Sequence, residues 1–543
     1  MTLRSTSIAK IRGGSFDALV IGGGINGAVS AAVLAGRGAE VALVDRGDFG
    51  GFTSQESSNL VWGGFKYLEG FELVLVRKLC LSRNRLVRAY PDNVKPISFL
   101  ATLDAGSPYP PWLAALGSLA YWVIGGFKTH RPRLLSPKKI EQMEPVVDTS
   151  GARGGVEYYD AYLSDNDSRF VFGFVRSALD AGAKAVNYVE VISASYQDGR
   201  WLVTLRDVDS GDEPFTCTGR VLINATGPFV GDLNEQFEVR TDHRVVYSKG
   251  IHLIVPQLTP SDRVLAFYDD TKRLFYVIPM GMRSVIGTTD TRVDSPFTEV
   301  TDEDRSFLLD QINRRLDLAS PLTPSDVISD RSGVRPLVVR SDSPVDEDVD
   351  WTKLSRKHEV ETDADRSVIT IFGGKLTDCL NVGEEVADAV EALGVPLEPD
   401  THNWYGEPVV HTRAEFFRQA RLMHLDDLRS TEGLEALSER LWRRYGRRAF
   451  GMLDEIRKDP AMGEDIIESA DYVRVELHLA ADTEMVTKLE DFLRRRSKIA
   501  QVIPDSDIIG SPGLDEAVKI LFGHQAEEKL AEYLRNREIP VAR

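Results

Sequence analysis

Glycines 22, 24 and 27 in "GGGING" stand at the G-x-G-x-x-G spacing. The first allows a tight turn, the second lets backbone approach a pyrophosphate, and the third lets a helix pack closely behind it. A helix N-terminus there offers unpaired N–H groups and a positive dipole end to phosphate. Asp45 ends the next apolar run, "AEVALVD", where a carboxylate can accept hydrogen bonds from a ribose. That is dinucleotide chemistry. A second set follows in "SSNLVWGGFKYLEG", which carries Ser57-Ser58, Trp62, Gly63-Gly64 and the cation–phenol pair Lys66-Tyr67. Lys66 is a point charge suited to a phosphate, and Tyr67 can donate to a phosphate or a hydroxyl. Arg335, in "SGVRPL", precedes Pro336 and is biased to extended backbone, its planar fork suited to an anion. Lys375 follows Gly373-Gly374 where a helix starts, and Arg356 in "LSRKHEV" is a weaker third cation. His252 is a candidate base, although a lone His ahead of an apolar strand is more often a packed residue; Lys66 or Lys375 is the other choice.

Those residues need elements to hold them. Phe16 to Asp45 reads as one βαβ unit, with the strand "DALVI", an Ala-rich helix and a second strand. "RVLINATGPFV" reads as a strand leading to Ala225-Thr226-Gly227, and "VITIFGGKLTDCLNVGEEVADAV" as a strand, a Gly-Gly-Lys turn and a helix. A nucleotide fold interrupted by inserts and closed in this way looks like a flavoprotein of the glutathione-reductase or D-amino-acid-oxidase class. The expected fold is α/β: an FAD-binding Rossmann-like domain, a mixed-sheet substrate domain and a C-terminal α-helical domain. We expect FAD segments at 14–100, 150–240 and 330–397, a substrate segment at 241–330 and a capping insertion at 101–149. These form one oxidoreductase domain over 14–397. Residues 393–410 read as a linker and 411–543 as amphipathic helices whose charge runs are solvated faces.

With 543 residues the chain is too long for one core. A net charge of −18 argues against nucleic-acid binding and requires any anionic substrate to be met by a local cationic cluster. Cys80, Cys217 and Cys379 form no CxxC, which points to a reducing compartment with no disulfide framework and no metal site. No apolar run precedes Asp17, so a cytoplasmic location is expected. The uncharged "PPWLAALGSLAYWVIGGF" has a strongly apolar part at 112–124, short of the ~20 residues that span a bilayer. It reads as a buried helix, or as an interfacial one with Trp112, Tyr121 and Trp122 at the headgroups on the inner membrane face.

Taken in order, the motifs resemble the FAD-dependent, quinone-linked glycerol-3-phosphate dehydrogenases. The resemblance rests on Thr53-Ser54, Ser57-Ser58, Gly63-Gly64-Phe65-Lys66-Tyr67-Leu68-Glu69, Lys249-Gly250-Ile251-His252, "IGTTDT" at Ile286 to Thr291, Ser332 to Leu337 and Gly373 to Thr377. It extends into "RRYGRRA" and "EMVTKLEDFLRRRSKIA" and so covers nearly the whole chain. It implies an enzyme of glycerol metabolism that oxidises sn-glycerol 3-phosphate to dihydroxyacetone phosphate by hydride transfer to flavin N5. Electrons would pass to a quinone, with peripheral membrane contact through 112–124 and a homodimer left open. By resemblance, FAD is held by Gly22, Gly24, Asn26, Gly27, Asp45, Arg46, Thr53, Ser57, Ser58, Gly64, Val191, Ala225, Thr226, Gly227, Gly374, Lys375, Leu376 and Thr377. The backbone of 57–64 would pass close to the isoalloxazine, which accounts for its small residues. Substrate falls to Lys66, Tyr67, Arg335, Arg356 and Lys375, and catalysis to Lys66, Arg335, Lys375 and His252.

Four departures mark a divergent member. Trp62 replaces the family's His, Lys66 its Arg, Asn59 its Lys, and Asp378-Cys379-Leu380 its Thr-Tyr-Arg. They leave open another polyol phosphate such as erythritol 4-phosphate, an oxygen-using oxidase, an amine oxidase of the same superfold, and an FAD-binding scaffold or sensor of reduced activity.

Overall fold

The computed structural model describes residues 2–342, 357–428, 435–468 and 470–538. The glycine turn lies between strand Ser15–Ile21 and helix Ile25–Gly36. That helix is rich in Ala and Val, and Asn26 to Ala35 are all buried. Its small side chains let it sit between the sheet and two further helices, Asp167–Asp180 and Cys379–Ala392.

The first sheet has the order Glu359–Asp363, Val368–Phe372, Phe215–Asn224, Ser15–Ile21, Val41–Val44, Lys184–Val186. The last five of these run parallel, and a hairpin of Val189–Gln197 and Arg200–Asp207 extends Phe215–Asn224 antiparallel. Ser15–Ile21 is flanked by Val41–Val44 on one side and by the distant Phe215–Asn224 on the other. The strand order reverses there, and in such sheets ligands bind outside the carboxyl ends of the strands.

The second sheet is larger than the expected 241–330 segment. Its order runs Thr291–Val293, His243–Pro256, Arg283–Gly287, Leu274–Met280, Val264–Tyr268, Val94–Asp104, Ala152–Leu163, Leu60–Val61. Ser329–Arg340 pairs along His243–Pro256, and Arg133–Leu135 joins Ala152–Leu163. Strands expected in FAD segments therefore belong to this sheet: Leu60–Val61, Val94–Asp104, Ala152–Leu163 and Ser329–Arg340. An apolar run gives a strand but not the sheet it joins, because pairing partners lie far away in sequence. The expected insertion at 101–149 falls mostly in the connection, residues 105–151, of the long hairpin formed by Val94–Asp104 and Ala152–Leu163; residues 101–104 belong to the first strand.

Helix Pro111–Ile124 is neither buried nor oriented as expected. Only Ser118 and Tyr121 are buried, and the Tyr121 hydroxyl donates to Asp160 Oδ2 at 2.6 Å. Tyr121 thus points inward rather than to a headgroup layer. Trp122 is partly covered and donates to the Thr129 carbonyl at 2.9 Å, whereas Trp112 is 63% exposed. Among the described residues no helix is long and apolar enough to cross a membrane.

The C-terminal part contains helices Val410–Leu422, Leu437–Tyr445, Ala449–Lys458, Arg474–Thr483, Gly513–Phe522 and Ala526–Glu538, with two apolar cores of its own. Its basic runs are not solvated faces. Arg443, Arg444, Arg494, Arg495 and Arg496 are all buried. Arg443 and Arg444 pair with Asp165, and Arg495 and Arg496 with Asp48, so acids from the flavin domain neutralise them.

Candidate active site

Two cavities adjoin at the carboxyl ends of the first sheet. One, of about 250 Å³, is lined by Gly22, Gly24, Asn26, Asp45, Arg46, Thr53, Val191, Ala225, Thr226, Gly227 and Gly374. The other, of about 310 Å³, is lined by Thr53, Ser57, Ser58, Trp62, Lys66, His252, Arg335, Gly374, Lys375, Leu376 and Thr377. Ile25, Thr53, Ser54, Pro336 and Gly374 line both, giving a continuous space that suits a dinucleotide at one end and a small molecule at the other.

The first cavity fits FAD on three observations. A Cβ on Gly27 would lie 1.8 Å from the Gly22 carbonyl oxygen, and one on Gly22, at φ +100°, would lie 2.6 Å from the Ala225 oxygen. The N-cap of helix Ile25–Gly36 is Gly24, which has no side chain to cap it; Ser54 Oγ accepts from Ile25 N at 3.1 Å, and the next N–H groups of the first turn face a phosphate position. Asn26 is buried; its Nδ2 donates to the Gly373 carbonyl at 2.8 Å while its Oδ1 has no donor among the described residues. An orphaned buried acceptor fits a ligand that brings a hydroxyl or N–H. Asp45 braces the turn, accepting from Gly23 N at 2.6 Å and Gly47 N at 2.7 Å. Burial raises its pKa, against the pull of those two donors. The Arg46 guanidinium lies 4.0 Å from the Phe229 ring centroid at the mouth.

Gly64 lines neither cavity. It takes a left-handed conformation, φ 84°, at the head of the short turn Phe65–Leu68, where a Cβ would strike the Tyr67 ring. A Cβ on Gly63 would lie 2.2 Å from Tyr121 Oη and 2.8 Å from Cys80 Sγ. These two glycines are small because the turn packs on Tyr121, Cys80 and Tyr67, which corrects the flavin-contact explanation.

The second cavity concentrates positive charge. Lys66, Arg335 and Lys375 line it as expected, with Arg273 and Lys357, which sequence reasoning missed; Glu56 and Asp290 are the acids. Arg335 donates to Thr288 Oγ1 at 2.7 Å and to the Thr289 carbonyl at 3.2 Å, and lies 3.7 Å from Asp290. It crosses the face of Gly250, where a Cβ would sit 2.1 Å from Nη2. Lys375 Nζ donates to Tyr67 Oη and lies 4.0 Å from that ring's centroid. Tyr67 itself is buried and does not line the cavity; it bears on it through Lys375. Arg356 lies outside the described residues.

His252 is 1% exposed, and its Nε2 is 2.7 Å from Ser58 Oγ. Its Nδ1 has no hydrogen-bond partner among the described residues. Burial, with the Arg331 and Arg335 charges, holds its pKa well below the usual histidine value. The imidazole is therefore neutral at pH 7 and able to accept a proton.

The departures near the Gly-Gly-Lys turn point away from the cavity. Asp378 meets His358 Nδ1 at 2.8 Å and accepts from Ser82 Oγ at 3.0 Å, while Cys379 and Leu380 are fully buried. Asn59 donates to the Asp165 carbonyl at 2.8 Å and accepts from Arg331 at 3.1 Å. Trp62 does line the cavity, so that replacement changes its wall.

This fold and this site define an FAD-dependent oxidoreductase, and residues 17–388 match the family described as FAD dependent oxidoreductase. Residues 423–507 match the C-terminal domain of alpha-glycerophosphate oxidase. The aerobic glycerol-3-phosphate dehydrogenase of Bacillus subtilis is 30% identical over 89% of this chain and 87% of its own. Glycerol-3-phosphate dehydrogenase 2 of Mycobacterium tuberculosis is 31% identical over 97% and 88%. The crystal structure of the Bacillus halodurans glycerol-3-phosphate dehydrogenase with FAD superposes with a TM-score of 0.74 at 25% identity, over 99% of this chain and 97% of that one. The chain belongs to the FAD-dependent glycerol-3-phosphate dehydrogenase family.

Proposed function

We propose that this chain oxidises the secondary hydroxyl of sn-glycerol 3-phosphate to the ketone, giving dihydroxyacetone phosphate. The observation that carries this reading is the cationic set Lys66, Arg273, Arg335, Lys357 and Lys375 around one cavity, in a chain of net charge −18. Such a set suits a phosphate dianion, and it abuts the space that fits FAD. Bound FAD supplies the two-electron acceptor for the hydride leaving C2. The protein's part is to hold the phosphate with Lys66, Arg335 and Lys375, and to take the hydroxyl proton on neutral His252, which Ser58 orients. The O–H and C–H bonds break and a C=O bond forms, with the proton on His252 Nε2 or relayed through Ser58 Oγ. A base must be unprotonated, so the acidic limb of turnover should lie below pH 6.5, the ordinary histidine value.

We assign the electrons to a membrane quinone. Trp112, Leu116, Leu119 and Val123 are exposed on helix Pro111–Ile124, with Phe127 just beyond it and Phe71 and Val74 on the adjoining segment. A contiguous apolar face of this kind suits the headgroup–acyl boundary of a lipid surface.

Trp62 and Lys66 at the cavity wall favour a second substrate, erythritol 4-phosphate, as the alternative. Steady-state turnover with a dye acceptor decides between them. A kcat/KM for glycerol 3-phosphate at least tenfold above that for erythritol 4-phosphate supports the main reading, and the reverse order overturns it.

A further inference from the structure

The wall of the substrate cavity between Gln55 and Ser58 has almost no secondary structure to hold it. It leaves the short turn Phe52–Gln55 and runs as irregular chain to Leu60. Side chains from elsewhere fix it instead. Arg494, on the turn Asp491–Arg496 of the C-terminal domain, donates to Glu56 Oε2 at 3.0 Å and to the Gln55 carbonyl at 3.2 Å. Both members of this ion pair are close to fully buried, with side-chain exposures of 9% for Arg494 and 11% for Glu56. The next residue is clamped on both sides: Ser57 N donates to Asp167 Oδ2 at 2.9 Å, and its carbonyl accepts from Arg331 Nη1 at 2.6 Å. Arg331 is in turn held by Gln501 Oε1, a second C-terminal side chain. One residue further on, Ser58 Oγ meets His252 Nε2 at 2.7 Å.

We propose that Arg494, although it belongs to the C-terminal domain, is a positioning residue for the cavity wall at Gln55–Ser58 and, through Ser58, for His252. The inference rests on the reading of His252 as proton acceptor. A buried ion pair that loses one partner leaves an uncompensated charge. Asp167 and Arg331 hold Ser57, whereas the Glu56 carboxylate pairs with Arg494, so losing Arg494 drives Glu56 to find water or another counter-ion and strains the wall at its neighbours. A displacement of about 1 Å at a reacting group costs on the order of 100-fold in rate. Domain adhesion also runs through Arg495 and Arg496 on Asp48 and through Arg443 and Arg444 on Asp165; of these four, Arg495 reaches the wall as well, donating to Gln55 Oε1 at 3.2 Å. The charges that act on His252 are Arg331 and Arg335 on the paired strand; Arg331 is in turn surrounded by Glu56 on the wall, Asp167 on its helix and Arg494 on the C-terminal turn.

The test uses full-length flavin-loaded protein, with the limiting rate of flavin bleaching by glycerol 3-phosphate followed against pH. Arg494→Gln and Glu56→Gln should each slow that rate by about tenfold or more, with half-saturation changed by less than about twofold. The acidic limb should move to higher pH, because a loosened imidazole regains water and its pKa climbs back towards the usual value. Arg494→Lys, which keeps the charge, should recover part of the rate. A folded Arg494→Gln protein with the wild-type rate and acidic limb would overturn the proposal, leaving the pair as domain glue. If Arg494→Gln does not fold, Glu56→Gln decides by the same criteria. His252→Asn separates the two readings. A slow His252→Asn beside an unaffected Arg494→Gln overturns the positioning role alone, whereas a fast His252→Asn overturns the assignment of the base.

Discussion

Arg335 reaches its cavity because the neighbouring strand offers no side chain at Gly250, and its guanidinium fork is pre-set by Thr288 and Thr289. A charge-assisted hydrogen bond is worth about 1.5–3 kcal/mol, and a bidentate grip on phosphate uses two. Arg335→Ala should therefore raise KM for glycerol 3-phosphate at least about 100-fold, with Arg335→Lys intermediate because it lacks the fork. An unchanged KM in steady-state assays would remove Arg335 from the phosphate site. Motifs of fixed spacing exposed most of this site: Gly22, Gly24, Asp45, Lys66, Arg335 and Lys375 all line one cavity or the other, and Gly27 packs behind Gly22. Arg273 and Lys357 escaped because they sit in charged stretches, "DTKRLF" and "SRKHEV", where sequence does not say which neighbour turns inward. Gly64 misled for the opposite reason. Its Gly-Gly context fits ligand approach and tight packing equally well, and only the positions of Tyr67, Tyr121 and Cys80 decide.

Helix Pro111–Ile124 shows how an element can be legible while its orientation is not. Its length and apolar character are plain in the sequence, yet its buried stripe is only Ser118 and Tyr121, the reverse of a core helix. Asp160, a fully buried carboxylate on strand Ala152–Leu163, draws the Tyr121 hydroxyl inward, and Trp112, Leu116 and Val123 are thereby left outside. Exposed Lys128 and Arg131 follow the helix and give this face a basic rim on an acidic protein. Each large apolar side chain buried in lipid contributes about 1.5–3 kcal/mol. The double substitution Trp112→Asp, Leu116→Asp should then weaken co-sedimentation with phosphatidylcholine vesicles at least about 100-fold, while dye-linked turnover is kept. Vesicle binding that survives the substitution would contradict the proposed docking face. The division of strands between the two sheets was likewise hidden, since Val94–Asp104 finds its parallel partner in Val264–Tyr268, far along the chain.

At the scale of the whole molecule, the acidic surface and the basic interior of the C-terminal domain are two sides of one arrangement. Runs such as "RRYGRR" and "LRRRSK" look solvated because the acids close to them in sequence, Glu435 and Asp491, pair with only one arginine of each run. The further partners Asp48 and Asp165 lie hundreds of residues earlier, and a charge pattern read along one segment cannot reveal them. The same docking brings Arg494 to Glu56 on the cavity wall. In the proposed function the cavity couples a phosphate-held secondary alcohol to bound FAD. Anaerobic stopped-flow mixing of the yellow holoprotein with sn-glycerol 3-phosphate tests it most directly. Rapid bleaching of the oxidised flavin band is expected, with one dihydroxyacetone phosphate formed per flavin. A flavin that stays oxidised at saturating glycerol 3-phosphate would contradict it.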